Sequence, residues 1–250
     1  MSDRTVIVIP ARYGSTRLPR KPLLSIAGKP LIQWVYERAL QIPGEHPVIV
    51  ATDHSEVFET VKNFGGEVVM TPADIETGSE RVGFVVRNLN ADIVVNLQGD
   101  EPLVPVTAVA AAMAALKEDG NLPVATVACP LTSESEWRNP AVVKVLLDDH
   151  QNAIYFSRSP IPYFRDSGFS PLPNLLRHIG VYVFRTSYLL KFLRWQPGIL
   201  EQQEKLEQLR IIERGGRIKV IRSTDCSPGV DVPADLTEVE RLLKQRSAVW

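Results

Sequence analysis

Cysteine is nearly missing from this chain. Cys129 and Cys226 are the only two in 250 residues, too few for a disulfide framework and without the spacing of a zinc site. Two ordinary thiols in a reducing compartment are expected. Long apolar runs are missing too. The longest mostly apolar stretch, residues 104–116, is well short of the roughly 20 residues that span a bilayer. Asp3 and Arg4 precede a four-residue apolar run, which does not read as a secretory signal. A cytoplasmic protein without membrane contact is therefore expected. A net charge of −1 argues against a general nucleic-acid binder. His46, His54 and His150 fall in predicted turns without metal-ligand spacing, and no Ser-His-Asp or Cys-His arrangement has support. Neither GxxxxGK[ST] nor GxGxxG occurs, so the two common phosphate-loop patterns are absent.

What is present is an alternation of periods. With 44% hydrophobic and 23% charged residues, the chain suits one domain over residues 1–250. Apolar, β-branched runs at 6–9, 48–51, 67–70, 92–97 and 124–129 read as strands. Between them, helical periodicity covers 31–40, a stretch from a Ser55 cap to 64, 77–88 and 106–117. This alternation predicts an α/β fold with a mostly parallel, doubly wound, Rossmann-like sheet. After Thr132 the pattern changes. Strands at 142–147, 153–156 and 179–184 lack long helices between them, and a turn at 149–152 and a proline-studded loop at 160–173 separate them. They predict a small antiparallel insertion lobe at about 133–185. Helices at 187–195, 201–214 and 236–246 and a strand at 217–221 complete the chain.

The stretch 6–24 organises the rest. A buried strand feeds a loop holding Arg12, Arg17, Arg20 and Lys21 around Gly14 and Ser15. A basic, glycine-containing loop at a strand end suits an anionic ligand such as a nucleoside triphosphate; the plain alternative is a solvated surface turn. Asp100 follows the strand 92–97 on the same sheet edge, so it meets the basic loop if the two strands are neighbours. Carboxylate beside triphosphate calls for Mg²⁺. Asp231, held between Pro228-Gly229 and Pro233, is a second candidate. Each aspartate could instead be a helix cap or turn residue, as could Ser79.

Residues 10–23, PARYGSTRLPRKPL, resemble the signature PAR-x-x-S-x-R-L-P-x-K-P-L of sugar-activating nucleotidyltransferases, in the form found in the 3-deoxy-D-manno-octulosonate (Kdo) cytidylyltransferases. The resemblance continues through Thr77-Gly78-Ser79-Glu80-Arg81, Gln98-Gly99-Asp100-Glu101-Pro102, Phe156-Ser157-Arg158, residues 176–182, Leu206-Glu207-Gln208-Leu209-Arg210 and Gly229-Val230-Asp231. It covers residues 6 to about 242, with little of it in 165–175. It implies a nucleotidyltransferase that joins CTP and Kdo into CMP-Kdo and pyrophosphate for lipopolysaccharide biosynthesis, with Mg²⁺ as cofactor and a homodimer built partly on the insertion. Lys21, Arg17 and Asp100 become the catalytic groups. Ala11, Arg12, Ser15, Lys21, Thr77, Gly78, Ser79 and Arg81 become the nucleotide contacts, with the 77–81 loop reading cytosine. Gln98, Arg158, His178, Tyr182, Glu207 and Gln208 become the sugar contacts, and Asp100 and Asp231 the metal ligands. Arg20 departs from the family's usual glycine and is expected to face solvent without a role. Without the resemblance, His178 reads as a structural histidine and Glu207 and Gln208 as a solvated helix face. Two alternatives stay open: a related acceptor, such as an amino-substituted Kdo analogue or a sialic acid, and a non-catalytic nucleotide-sugar sensor.

Overall fold

Strand β1, Thr5–Ala11, is buried along its whole length, which a β-branched run can be only if both faces of its sheet are covered. The computed structural model describes residues 3–14, 18–166, 168–226 and 228–247. After β1 the chain makes a short 3₁₀ turn at Lys21–Leu23 and a small hairpin of β2, Ser25–Ile26, and β3, Lys29–Pro30. Helix α1, Leu31–Ala39, begins directly after Pro30, where a fixed φ suits a first turn. Then come β4, Val48–Thr52, α2, Ser55–Asn63, β5, Glu67–Met70, α3, Gly78–Val86, β6, Ile93–Leu97, α4, Val106–Glu118, and β7, Val124–Pro130. A short α5, Glu134–Arg138, precedes β8, Lys144–Leu147, β9, Ala153–Ser157, and the long β10, Leu175–Arg185. The chain ends with α6, Thr186–Phe192, α7, Ile199–Glu204, α8, Leu209–Glu213, β11, Lys219–Arg222, and α9, Pro233–Ser247.

The main sheet runs β11-β7-β10-β6-β1-β4-β5. The neighbours β1, β4, β5 and β6 are parallel, and β11 is parallel to β7. Only β10 runs against them, pairing β6 on one side and β7 on the other. Side chains alternate between the two faces, as strand geometry requires. Ile7 and Ile9 pack with α1, α2, α4 and α9 on one side. Val6 and Val8 pack with α3, α6 and α8 on the other. The fold is thus the expected mostly parallel, doubly wound sheet. Among the described residues, no helix is long and apolar enough to cross a membrane.

The expected insertion pairs in two ways. The C-terminal half of β10 lies inside the main sheet, with Val181 opposite Leu97. Its N-terminal half stays on β7, with Leu176 opposite Pro130, while its other edge pairs with β8, which pairs in turn with β9. A register shift against β7 between Ile179 and Tyr182 marks the place where the other edge changes partner from β6 to β8, as a bulge bends a strand.

Three sequence expectations are corrected. Cys129 and Cys226 are not free thiols; they form a disulfide with Cα atoms 5.5 Å apart. The two lie 97 residues apart in sequence, and only the placement of β7 beside the chain after β11 brings them together. His54, not Ser55, caps α2: its Nδ1 accepts from the Glu56 N–H at 3.2 Å. The single helix expected over 201–214 is two, because Lys205 adopts the left-handed conformation with φ 54°. Across that corner the buried Arg210 guanidinium donates through Nε to Glu201 Oε2 at 2.6 Å, tying α8 back onto α7.

Candidate active site

Strands β1 and β6 are hydrogen-bonded neighbours, so the loops after them meet at the carboxyl edge of the sheet, where open α/β sheets hold ligands. Glycine is required at this crossing. A Cβ on Gly99 would lie 2.9 Å from the Pro10 carbonyl oxygen, so any side chain would force the loops apart. A cavity of about 620 Å³ opens above them, lined by Ala11, Arg12, Lys21, Thr77, Gly78, Arg81, Gln98 and Asp100 among others. Six of the eight expected nucleotide contacts lie on this wall, and Ser79 lies in the lining of the adjoining cavity. The expected contacts Ser15 and Arg17 lie outside the described residues.

Residues 77–81 are shaped by a reciprocal cap at the start of α3. Thr77 Oγ1 accepts from the Glu80 N–H, and Glu80 Oε2 accepts from the Thr77 N–H, each at 3.2 Å. The cap is Thr77, so the capping alternative for Ser79 is corrected. Ser79 is buried instead, with its hydroxyl accepting from Asn96 Nδ2 at 3.3 Å. Arg81 lines the cavity, yet its donors serve the protein. Nη2 donates to Asp53 Oδ2 at 2.9 Å and to the Ile75 carbonyl at 3.1 Å, and Nη1 bonds Thr71. The other oxygen of Asp53 accepts from the Tyr13 N–H at 3.0 Å. One carboxylate therefore ties the loop after β1 to the first turn of α3. Asp53 was missed from sequence; its signal was its place at the end of β4, on the same edge.

At the mouth of the cavity, Lys21 Nζ lies 2.6 Å from Asp100 Oδ2 and 3.1 Å from Asp231 Oδ1. Burial opposes the Lys21 charge, but the two carboxylates outweigh it and raise its pKa above the ordinary lysine value. Asp231 reaches Asp100 because the Val230 N–H donates to the Asp100 carbonyl at 2.8 Å. Gly229 permits that approach, since its Cβ would stand 3.2 Å from the same oxygen. The Asp231 N–H donates in turn to Asp235 Oδ2 at 2.7 Å. Glu101 stands behind the pair and accepts from the Gly180 N–H at 3.1 Å. Burial, then the Asp100 charge, pushes its carboxyl up to about 8, so at neutral pH it adds little negative charge. Among the described residues no group of three or more His, Cys, Asp and Glu gathers as a metal cage. Two carboxylates converge here on one cation.

Arg20 lies outside this cluster and is not idle. Its φ is 58°, a left-handed backbone that glycine adopts without strain. Its guanidinium pairs with Glu56 and sits 5.6 Å from the Tyr13 ring centre.

A second cavity of about 390 Å³ adjoins the first and contains Gln98, Arg158, His178, Tyr182, Glu207 and Gln208 in its lining. All six expected sugar contacts are therefore together. Thr126 Oγ1 donates its one proton to the Val181 carbonyl at 2.6 Å. His178 Nε2, 2.8 Å from the same hydroxyl, must then be the donor of that pair, which leaves Nδ1 as an acceptor. Burial pushes the imidazole down to about 3, so it is neutral, and it packs 5.2 Å from both Phe156 and Tyr182. Burial likewise raises the Glu207 carboxyl, and among the described residues Glu207 Oε2 has no hydrogen-bond partner. Arg158 donates to the Glu204 and Pro140 carbonyls at 2.8 and 3.0 Å. Beneath it the buried Lys144 ammonium donates to the Asn139 and Val142 carbonyls at 3.0 and 2.7 Å, holding the wall in place.

This geometry of basic loop, paired carboxylates and adjoining polar cavity has known relatives. A family model described as cytidylyltransferase matches residues 6–220. The 3-deoxy-manno-octulosonate cytidylyltransferase of Escherichia coli is 45% identical over 246 residues, covering 98% of each chain. That of Syntrophotalea carbinolica is 47% identical, covering 95% of this chain and 97% of its own. A solved CMP:2-keto-3-deoxy-manno-octonic acid synthetase complexed with CTP superposes with a TM-score of 0.90 at 45% identity, covering 97% of this chain and 99% of its own. A Leptospira borgpetersenii cytidylyltransferase shares the fold at a TM-score of 0.61 and 16% identity. With matches of this extent, the chain belongs to the cytidylyltransferase family of nucleotidyltransferase enzymes, alongside the 3-deoxy-manno-octulosonate cytidylyltransferases.

Proposed function

We propose that this enzyme converts CTP and 3-deoxy-D-manno-octulosonate into CMP-Kdo and pyrophosphate. The carrying observation is the convergence of Lys21, Asp100 and Asp231 where the two cavities meet. CTP occupies the larger cavity, with its base toward residues 77–81 and its phosphates toward Arg12 and Lys21. The sugar acid occupies the smaller one. Its anomeric hydroxyl oxygen attacks the α-phosphorus in line. The bond to the bridging oxygen of the β-phosphate breaks, pyrophosphate leaves, and the hydroxyl proton passes to solvent. The protein positions both reactants and offsets charge, as phosphoryl-transfer enzymes do.

The residues fit Mg²⁺. Asp100 and Asp231 already share one cation, the Lys21 ammonium, and Mg²⁺ needs only one or two carboxylates beside phosphate oxygens and water. When bound, the ion would neutralise triphosphate charge. Lys21 would then turn from the carboxylates to the phosphates. Neutral His178 offers Nδ1 to a sugar hydroxyl, and Glu207 Oε2, without a partner among the described residues, offers a second polar contact.

A homodimer is part of the same reading. Among the described residues β9 pairs as a strand with β8 alone, its start also donating from the Ala153 N–H to the Ile218 carbonyl, and the apolar Ile154 and Tyr163 near it are 55% and 86% exposed. An uncovered edge with such residues suits a two-fold contact. The cytoplasm, where CTP is made, is the expected compartment, and lipopolysaccharide assembly the expected use of the product. The test is pyrophosphate release with CTP, ATP or GTP against a panel of sugar acids including Kdo, its amino-substituted analogue and a sialic acid. Release with CTP and Kdo above all others supports the proposal. Equal rates with ATP or GTP, or a preference for another acid, overturn it.

A further inference from the structure

Four residues line both cavities: Gln98, Asp100, Lys205 and Glu207. Lys205 is the one cation among them. It is also the residue at which the expected long helix breaks, its left-handed backbone forming the corner between α7 and α8. A long side chain in that conformation is uncommon, since glycine or asparagine fits it with less strain. Here the corner puts an exposed ammonium on the boundary between the two reactants.

The other cations of the smaller cavity are engaged. Arg158 is bonded to the Glu204 and Pro140 carbonyls. Arg177 donates to Glu136 Oε1 at 3.2 Å. The Lys205 ammonium makes no hydrogen bond or ion pair among the described residues. The chemistry of a 2-keto sugar acid makes this boundary special. Its carboxylate and its attacking hydroxyl sit on adjacent carbons, because the anomeric carbon is the one next to the acid. When that hydroxyl reaches the α-phosphate, a carboxylate is carried to within a few bonds of a phosphate. Two anions then meet at a wall that already holds Asp100. A cation at that point serves both binding and approach.

We propose that the Lys205 ammonium binds the carboxylate of the sugar acid at the junction of the two cavities, and so selects 2-keto sugar acids over neutral sugars. This rests on the function proposed above. The test compares Lys205→Gln and Lys205→Arg with the parent enzyme. Both keep a Cβ at the left-handed corner, so backbone strain is matched. At saturating CTP, Lys205→Gln should raise the KM for the sugar acid about tenfold or more, the worth of one charge-assisted hydrogen bond. Its KM for CTP and its melting temperature should stay at the parent values, and Lys205→Arg should recover most of the sugar-acid KM. An unchanged sugar-acid KM in Lys205→Gln overturns the assignment. So does a parallel rise in the KM for CTP, which would give the ammonium to the triphosphate. A parent enzyme that binds CTP but releases no pyrophosphate with any sugar acid overturns the underlying function, and this inference with it.

Discussion

Replacing Asp53 by asparagine removes one charge and leaves the shape nearly unchanged, at a residue that touches neither cavity. Asp53 Oδ1 holds the Tyr13 N–H at 3.0 Å and Oδ2 holds Arg81 Nη2 at 2.9 Å. An amide has one acceptor oxygen. If that oxygen stays with Tyr13, the amide nitrogen faces a guanidinium, donor against donor. Arg81 is 2% exposed and Asp53 16%, so Arg81 keeps a buried charge without its counter-ion. Breaking a buried pair from one side costs about 3–5 kcal/mol. Arg81 retains the Ile75 carbonyl, and Asp53 is partly solvated, which points to about 3 kcal/mol. For a chain of this size, 1 kcal/mol moves the melting temperature by about 2–4 °C, so calorimetry should show a fall of about 6–12 °C. The same substitution should raise the KM for CTP, because the loop after β1 and the start of α3 that Asp53 ties border the cavity proposed for the nucleotide, and leave the KM for the sugar acid near its parent value. Saturating CTP at a hundred times its Kd should return about 2.7 kcal/mol of stability. Adding Arg81→Met to Asp53→Asn should cost less than the sum of the two, since the second change removes the stranded charge. A melting temperature within about 2 °C of the parent would refute the reasoning.

Asp100→Asn and Asp231→Asn should each fold normally and lose about a hundred- to a thousandfold in turnover, with a double variant far from additive; pyrophosphate-release rates check this, and near-normal turnover of either returns that aspartate to a structural role. His178 is held near 3 by burial, well below its ordinary value, so the unfolded chain binds the extra proton first. The stability this histidine contributes is complete above about pH 6.5 and is lost as pH falls toward 3, at about 1.4 kcal/mol per pH unit. Denaturant titrations at pH 7 and pH 5 should show a smaller acid loss in His178→Gln than in the parent, and equal losses would contradict the burial argument. Light scattering should give about twice the 27.8 kDa chain mass, and Ile154→Asp should shift the enzyme toward monomer; a parent that scatters as a monomer at micromolar concentration would rule out the edge contact.

Much of this molecule could be read from short-range pattern. The β-branched runs of β1, β4 and β6 and the 3.6-residue periods between them specify a parallel sheet, because each pattern has only one way to bury its apolar side. That sheet puts the loop with Arg12 and Lys21 on the same edge as Asp100, since both follow parallel strands. The tertiary structure decided the rest. Asp231 joins Asp100 through one backbone bond from Val230, a contact no local period encodes. Ser55 lost the α2 cap to His54, and Ser79 lost its cap to Thr77, because cap choice depends on where the preceding strand delivers the chain. The helical period through 201–214 ran unbroken in sequence, yet the chain turns at Lys205, where the buried Glu201–Arg210 pair folds α8 onto α7. Cys129 and Cys226 carried no spacing signal, and their pairing waited on the neighbourhood of β7. Local propensity selects elements within about one turn or one strand; which elements become neighbours depends on burial and polar satisfaction over the whole chain.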